Sequence, residues 1–269
     1  MKKKTMVTRN SQQNTIVQSH IQMPKLLLKR FHNNNNRFFY YDIQKGFVGT
    51  KGTAESTNTE LGFYSISTEH YLRDTIETPF GQILAYIDKI DFSQKGFRMT
   101  HDFDQITRNF VYSLLSRDPV SMSEMEKNSI YAQFLPKRSR HDYAARNGLI
   151  TANKNKVFLD YIITFMVNRT DVPFVLPIGG VFSYEVEKHS VINLPISPQL
   201  AISLVHESYA DRLKHEDGAL SMFLVEYPEI VKRINGFAFS SQMKRQWGCV
   251  ICPEREELDR LKDEATTWI

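Results

Sequence analysis

In the middle of the chain, apolar residues recur three and four positions apart, which is the spacing that one buried face of an α-helix requires. The first run extends from about residue 67 to residue 90, and Pro79 should kink or split this helix. The second run covers residues 100–118 and has acidic residues in its first turn. We expect two further helices, one over residues 121–134 and one that begins near residue 153.

On both sides of this helical middle, β-branched and aromatic residues occur in short runs bounded by Gly, Pro and Asn, which is typical of strands. Residues 24–31, an Asn-rich turn and an aromatic strand over residues 37–43 together predict an N-terminal β-hairpin. Further strands are predicted over residues 161–167, 174–176, 191–194, 200–205 and 247–251, and helices over residues 228–244 and 254–266. The pattern predicts an α+β fold: a single domain with an N-terminal β-hairpin, central helices and a C-terminal β-rich half with flanking helices.

Composition is that of an ordinary globular protein. The chain has 269 residues, 41% of them hydrophobic, and we assign residues 15–269 to the domain and the polar, basic residues 1–14 to a disordered tail. The formal net charge of +4, from 34 basic and 30 acidic residues, is too small to require a nucleic-acid partner.

No apolar stretch approaches the roughly 20 residues of a membrane span, and no signal-like apolar run follows the first lysines. We therefore expect a cytoplasmic protein without a membrane partner.

The most distinctive string begins at His20 and continues through Pro24 to Leu28-Lys29-Arg30-Phe31. It resembles the opening signature of a bacterial family known only as domain of unknown function 4238, in which a His and, a few residues later, a Pro precede Leu-x-x-Phe. Four later blocks are similar to the family and follow in the same order, over residues 69–84, 110–119, 172–175 and 194–198. The resemblance implies kinship and leaves the activity open.

The chain departs from the family pattern at residues 176–180. Leu-Pro-Ile-Gly-Gly stands there, where family members usually have Ser-Asp before a Pro. If that Asp has a chemical role in the family, this protein lacks the role or has moved it to another residue.

Three charged residues, Glu69, Arg73 and Glu77, stand four positions apart in the helix predicted to begin near residue 67. On a wheel of about 100° per residue, Glu69 falls inside the apolar stripe, Arg73 lies at its edge and Glu77 lies just beyond it. Charges on an apolar face are costly unless they are paired. Two interpretations follow: a buried structural network with Arg73 between the two glutamates, or a functional carboxylate pair with an orienting arginine.

Four other side chains carry candidate chemistry. His20 can act as a general acid or base near neutral pH, or it can anchor the N-terminal segment through a backbone hydrogen bond. Arg117, just past a predicted helix end, can clamp a phosphate or carboxylate, or it can cap the carbonyl groups of its own helix. Cys249 and Cys252 form a lone C-x-x-C pair without the further ligands that zinc needs, so we expect no zinc there.

The leading hypothesis is a nuclease-like hydrolase that acts on nucleic acid or a nucleotide. In it His20 is the acid or base, Glu69 and Glu77 are the base or metal ligands, and Arg117 is the phosphate clamp. The hypothesis requires no cofactor and allows a divalent metal. The resemblance to a family of accessory genes implies a bacterial conflict or phage-defence setting. The rival hypothesis is a non-catalytic module that senses a ligand or a protein partner. A hydrolase requires the four residues to meet in one solvent-accessible cleft, whereas a binding module allows them to be buried separately.

Overall fold

The structure, a computed structural model, describes residues 18–51, 54–93, 96–98, 101–154, 158–213 and 219–265. The disordered tail predicted for residues 1–14 lies outside these ranges. Within them the chain has the predicted α+β fold, with helices in the middle and a β-rich second half. No helix of the described ranges is both long enough and apolar enough to cross a membrane.

The helices differ widely in length, and one changes type part-way along. The α-helices are α1 (Lys25–Leu28), α2 (Ile66–Tyr71), α3 (Thr78–Ile87), α4 (His101–Ser116), α5 (Pro119–Asn128), α6 (Ile130–Gln133), α7 (Lys137–Lys154), α8 (Ala210–Leu213), α9 (Pro228–Arg245) and α10 (Arg255–Asp263). A π-helical segment (Leu72–Glu77) joins α2 to α3, and 3₁₀ turns cover Lys29–Phe31, Ala54–Ser56 and Glu207–Tyr209.

The strands lie mostly in the second half of the chain. They are β1 (Gln18–His20), β2 (Phe38–Asp42), β3 (Phe47–Lys51), β4 (Thr59–Leu61), β5 (Gly96–Phe97), β6 (Tyr161–Asn168), β7 (Leu176–Pro177), β8 (Phe182–Val186), β9 (His189–Ser197), β10 (Leu200–His206), β11 (Leu220–Ser221), β12 (Phe223–Val225) and β13 (Cys249–Cys252). Among the described residues they form four sheets, and the two smallest have two strands each, β1 with β4 and β11 with β5.

The five-stranded sheet has the order β12-β6-β10-β9-β8. Its strands pair antiparallel, with Ile202 of β10 opposite Phe165 of β6, except that β12 runs parallel to β6. Because successive side chains point to opposite faces, Ile202 and Ala201 lie on different sides of this sheet. The Ile202 face shares a hydrophobic core with α3 and α4, and the Ala201 face shares a second core with α9.

The four-stranded sheet has the order β3-β2-β13-β7 and contributes side chains to the core around α9. Strand β13 carries the C-x-x-C pair beside β2, with Cys249 opposite Asp42 and Cys252 opposite Phe39. Cys252 is completely buried, and burial raises the pKa of its thiol well above the usual value. This cysteine is therefore a core residue of the sheet.

The N-terminal hairpin has a different first arm from the one predicted. The aromatic strand over residues 37–43 is confirmed as β2, but the strand expected over residues 24–31 is wrong. That segment forms α1 and a 3₁₀ turn, and it buries Leu27, Leu28 and Phe31. A short apolar run does not by itself distinguish a helix from a strand, and consecutive leucines favour the helix. Strand β2 forms its hairpin with β3 instead.

The central helices follow the prediction in outline, with one clear error. The helix of the first run is confirmed from Ile66 to Ile87, and the Ser65 hydroxyl caps it by accepting a bond from the Thr68 amide. The helix expected to begin near residue 153 is wrong, because α7 ends there. In α7 only Ala144, Ala145 and Leu149 are buried, so it lacks the apolar period that identifies a helix in sequence.

Candidate functional site

Glu77 and Arg117, both predicted site residues, meet in the interior of the protein. Glu77 ends the π-helical segment and Arg117 directly follows α4. Nη1 of Arg117 donates to Oε1 of Glu77 over 3.1 Å, and Nε of Arg117 donates to the Ser113 carbonyl oxygen over 3.4 Å. The Arg117 side chain is 1% exposed. The arginine therefore caps α4, as in the second alternative for this residue, and binds a carboxylate of its own chain; the phosphate clamp stays a prediction.

Glu69 belongs to the same cluster. Its carboxyl group is hydrogen-bonded to Ser19 of β1, and Tyr64 is close enough to interact electrostatically with Glu69 and Arg117. Burial raises the pKa of Glu69, and the charge of Glu77 raises it further, while the Ser19 bond and Arg117 oppose the rise. Burial also raises the pKa of Tyr64. The cluster thus pairs a carboxylate held by arginine with a carboxyl group that resists ionisation.

Two polar atoms of this cluster keep unused hydrogen-bonding capacity. Oε1 of Glu69 and Nη2 of Arg117 are buried and have no hydrogen-bond partner among the described residues. Buried polar atoms in proteins are nearly always bonded to protein or to ordered water. These two atoms are therefore the points at which the cluster could bind a small polar molecule.

Arg73 does not lie between the two glutamates, so the predicted network around it is wrong. Its side chain is 58% exposed, and its Nε donates to Oδ1 of the adjacent Asp74 over 2.7 Å. Arg73 lies in the π-helical segment, in which the Thr78 amide bonds to the Arg73 carbonyl five residues back. Each π turn takes more residues than an α turn, so the 100° wheel does not describe the positions of side chains along this segment.

His20 makes its described contact away from the carboxylates. Its Nε2 lies 3.2 Å from the Ala54 carbonyl oxygen, which is the backbone anchor of the second interpretation. Neighbouring side chains of a strand point to opposite faces, so His20 leaves β1 on the other side from Ser19. The structure therefore brings Glu69, Glu77 and Arg117 together and gives His20 a separate contact.

A second polar group, centred on Asp118, was missed. Oδ1 of Asp118 accepts bonds from Nη1 of Arg245 at 2.5 Å and from Nε2 of Gln22 at 3.2 Å, while Oδ2 accepts a bond from the Ser121 amide. The capping role is readable from the Asp118-Pro119 pair, since Asp at the N-cap and Pro at the first helical position are typical of a helix start. The other two partners lie 96 and 127 residues away in the chain, so no local pattern reveals them.

The Ala201 face of the five-stranded sheet forms the floor of a cavity of about 780 Å³. The floor carries Met166, Val191 and Val205, and α9 forms one wall with Ile234 and Phe237. The rest of the apolar lining comes from Tyr209 and Leu213, from Tyr184 and Val186 of β8, and from Phe223, Leu224 and Val225 of β12. The lining is almost entirely apolar. No motif in the sequence predicted this cavity, because its side chains come from eight separate elements.

The mouth of this apolar cavity differs from its floor. The floor residues are buried, whereas Phe223, Leu224 and Ile230 at the mouth are 39%, 41% and 46% exposed. The charged side chains of the lining, Arg212 and Arg233 among them, also face solvent. The cavity is therefore open to solvent along one side, and an apolar molecule entering it would remove exposed apolar surface from water.

A stacked aromatic pair separates the apolar cavity from a second, more polar one of about 640 Å³. Tyr184 and Phe237 line both, with ring centroids 4.8 Å apart and an angle of 19° between the rings. The second cavity also contains Lys244 and Arg245, and Arg245 is already bound to Asp118. Among the described residues, no group of three His, Cys, Asp or Glu side chains lies close enough together to hold a metal ion.

Comparison with known proteins gives no match: no protein-family model, curated protein or solved structure matches the chain. The functional argument therefore depends on the geometry of the two regions described above, the cluster of Glu69, Glu77 and Arg117 and the apolar cavity beside α9.

Proposed function

We propose that this protein is a ligand-binding module and that its ligand lies in the apolar cavity beside α9. The observation that carries the proposal is the size and lining of that cavity, about 780 Å³ and almost entirely apolar. Ligand pockets of proteins have volumes of about 300–1,000 Å³ and a mainly apolar lining with a few polar groups. The described cavity agrees with both features.

The polar cluster supports the same proposal, because its geometry does not favour a catalytic role. A catalytic arginine or carboxylate has to come within hydrogen-bond reach of a substrate. Arg117 is 1% exposed, bound to Glu77 and bonded to a backbone carbonyl of its own helix. Its charge is used inside the protein, which favours a structural role for the cluster and a binding role for the molecule.

The first experiment narrows the mouth of the cavity. Ile230→Trp places a larger ring at a half-exposed position of the lining, so the core keeps its packing. We expect the affinity for a neutral apolar dye, Nile red, to fall by at least about tenfold, which corresponds to about 1.4 kcal/mol. Fluorescence titration of the purified full chain measures this.

The matched control for the dye experiment is Tyr227→Trp. Tyr227 stands one residue before α9 and is 67% exposed, and it is not part of the cavity lining. The Tyr227→Trp variant should leave dye binding unchanged. Both variants should melt within about 2 °C of the parent protein, as surface substitutions do. Equal dye binding by the parent and Ile230→Trp would contradict the proposal.

A second candidate function is the nuclease-like hydrolase acting on nucleic acid or a nucleotide, with Glu69 and Glu77 as its acid and base. One observation favours it: burial raises the pKa of Glu69, which lies close to the ion-paired Glu77, and a carboxyl group with a pKa raised by burial is a candidate for acid–base chemistry. If the hydrolase exists, Glu77→Gln should abolish release of nitrophenol from bis(p-nitrophenyl) phosphate. The exposed Glu60→Gln is the control and should retain full activity. Absence of turnover by the parent protein would remove this candidate.

Kinship with the domain of unknown function 4238 family, with its conflict or phage-defence setting, and residence in the cytoplasm remain proposals. The kinship is supported by the way in which the five family-like blocks contact one another, since hydrogen bonds join them into one connected frame. The bonds are Gln22 to Asp118, Glu77 to Arg117, Arg30 to the Ile196 carbonyl and Phe174 to the Pro198 carbonyl. The family-like blocks thus belong to one connected scaffold.

A further inference from the structure

We infer that the ligand of the apolar cavity is a single-chain amphiphile with one anionic head group, such as a long-chain carboxylate. Its head group binds Arg233 at the mouth, and its chain lies along the sheet floor. This inference rests on the proposed function and adds the chemical class of the ligand and the residue that selects it.

Arg233 is the charged group of the lining that has no ionic partner. Glu229 is neutralised by Lys232, whose Nζ lies 2.8 Å from Oε1 of Glu229. Arg212 lies 3.8 Å from Glu187. Arg233 has no carboxylate within ion-pair distance among the described residues. The mouth therefore carries an uncompensated positive charge, to which an anion is complementary.

Arg233 is also held at the place where a head group would sit. Its guanidinium carbon lies 5.8 Å from the ring centroid of Phe237, and the same ring stacks on Tyr184. Arg233 is an exposed residue, and the fork of N–H donors of an arginine can bind a carboxylate through two parallel hydrogen bonds. The arginine thus stands where the apolar lining meets solvent.

The floor of the cavity determines the chemistry of the part of the ligand that lies beyond the head group. Met166, Val191 and Val205 offer no hydrogen bonds, and the Tyr209 hydroxyl already donates to the Val186 carbonyl over 2.8 Å. A nucleotide or a sugar would lose its hydrogen bonds to water there without replacement. A hydrocarbon chain loses nothing polar and gains about 0.8 kcal/mol per buried methylene, or about fourfold in affinity. The two requirements together describe an anionic amphiphile with one apolar chain.

The test compares three ligands that have a twelve-carbon chain and different head groups: dodecanoate, dodecanol and dodecyltrimethylammonium. Calorimetry with the full chain, below the concentration at which each ligand forms micelles, should rank dodecanoate first and the cation last. Octanoate and decanoate should bind progressively more weakly than dodecanoate, by about fourfold per methylene removed. Arg233→Gln should weaken dodecanoate about tenfold, as loss of a charge-assisted bond does, and leave dodecanol unchanged.

The control variant is Arg255→Gln, which makes the same change of charge on α10, where Arg255 pairs with Asp259 at 3.1 Å. It should leave all three affinities unchanged. Arg233→Lys, which keeps the charge and loses the planar fork, should bind dodecanoate with intermediate affinity.

Three outcomes would overturn the inference, and they separate it from the proposed function. If dodecanol binds as tightly as dodecanoate, and Arg233→Gln changes neither affinity, the inferred preference for an anionic head group is wrong. The proposed binding of an apolar ligand in the cavity is then unaffected. If none of the three ligands binds and Ile230→Trp leaves Nile red binding intact, the proposed function fails as well. If dodecanoate fails to bind while anionic phospholipid vesicles bind the parent and not Ile230→Trp, the cavity mouth docks on a membrane surface and the inference fails.

Discussion

The cluster around Arg117 and the cavity beside α9 are opposite ways to build the interior of one protein. In the cluster, charged side chains are buried and bound to one another, with Arg117 shared between Glu77 and the Ser113 carbonyl. In the cavity, the space between the apolar side chains is unfilled, and the charged side chains lie at the mouth in contact with solvent. The first region uses its ion pair to hold the chain together and leaves Oε1 of Glu69 and Nη2 of Arg117 unbonded among the described residues, whereas the second region has an apolar space that is open to a ligand.

The energetics of the two regions also assign a structural role to the cluster and a binding role to the cavity. Burying an ion pair costs desolvation energy that nearly cancels the Coulomb attraction, so such a pair adds little net stability but is damaging to break. An unfilled apolar cavity lowers stability, because its lining lacks partners for van der Waals contact. A ligand that fills it restores those contacts and stabilises the fold by mass action. Substitutions in the cluster should therefore change stability, and substitutions around the cavity should change binding.

The largest effect that we expect is on stability, from Arg117→Met. The substitution removes one partner of a buried ion pair, which costs about 3–5 kcal/mol. The Glu77 side chain is 24% exposed and can turn partly toward solvent, so the lower end of that range applies. The melting temperature should fall by about 6 °C, measured by circular dichroism at neutral pH.

Arg73→Met is the matched control, since the same residue type changes to the same residue one helix away. Arg73 is 58% exposed and pairs with its neighbour Asp74, which is 61% exposed. Exposed pairs contribute little, so the melting temperature should change by less than about 1 °C. A large loss from Arg73→Met, or none from Arg117→Met, would reverse the assignment of the buried arginine.

The sequence predicted the fold class and the elements that have a strong local pattern. The aromatic strand β2, the apolar helix α4 and the β-branched strand β6 are confirmed near the expected positions, because each has a strong local signal of aromatic residues, of helically spaced apolar residues or of a continuous β-branched and aromatic run. Two segments failed for identifiable reasons. The leucine run of α1 has no alternation to separate helix from strand, and α7 buries too few side chains to show a helical period.

The candidate site was predictable only in part. Glu69 and Glu77 were recognised as charges near an apolar face, and they do lie in one cluster with Arg117. The expected position of Arg73 between the two glutamates was wrong, and no local rule predicts that residues 72–77 form a π-helical segment to which the 100° wheel does not apply. The apolar cavity could not be predicted from the sequence, because side chains such as Val191 and Ile234 look like ordinary core residues until the elements are placed in space.

The smallest effect that we expect separates Glu69 from Glu77 within the cluster. Burial raises the pKa of Glu69 above its usual value of 4.5, so the folded protein holds a proton that the unfolded chain has already released. A group whose pKa is higher in the folded state lowers stability as the pH rises through that interval. Glu69 should therefore cost the protein stability at neutral pH and not at pH 4.

Glu69→Gln tests this sign. The amide is neutral at every pH and keeps an oxygen that can accept the Ser19 bond, so the melting temperature should rise by roughly 2 °C at pH 7. The difference from the parent protein should shrink as the pH falls toward 4.5, because the parent carboxyl group then becomes neutral as well. The exposed Glu60→Gln is the control and should show no such pH-dependent gain. If Glu69→Gln is less stable at pH 7 than at pH 4.5 relative to the parent, Glu69 is ionised in the fold. It would then act as a second anionic partner of Arg117, and the contrast with Glu77 would disappear.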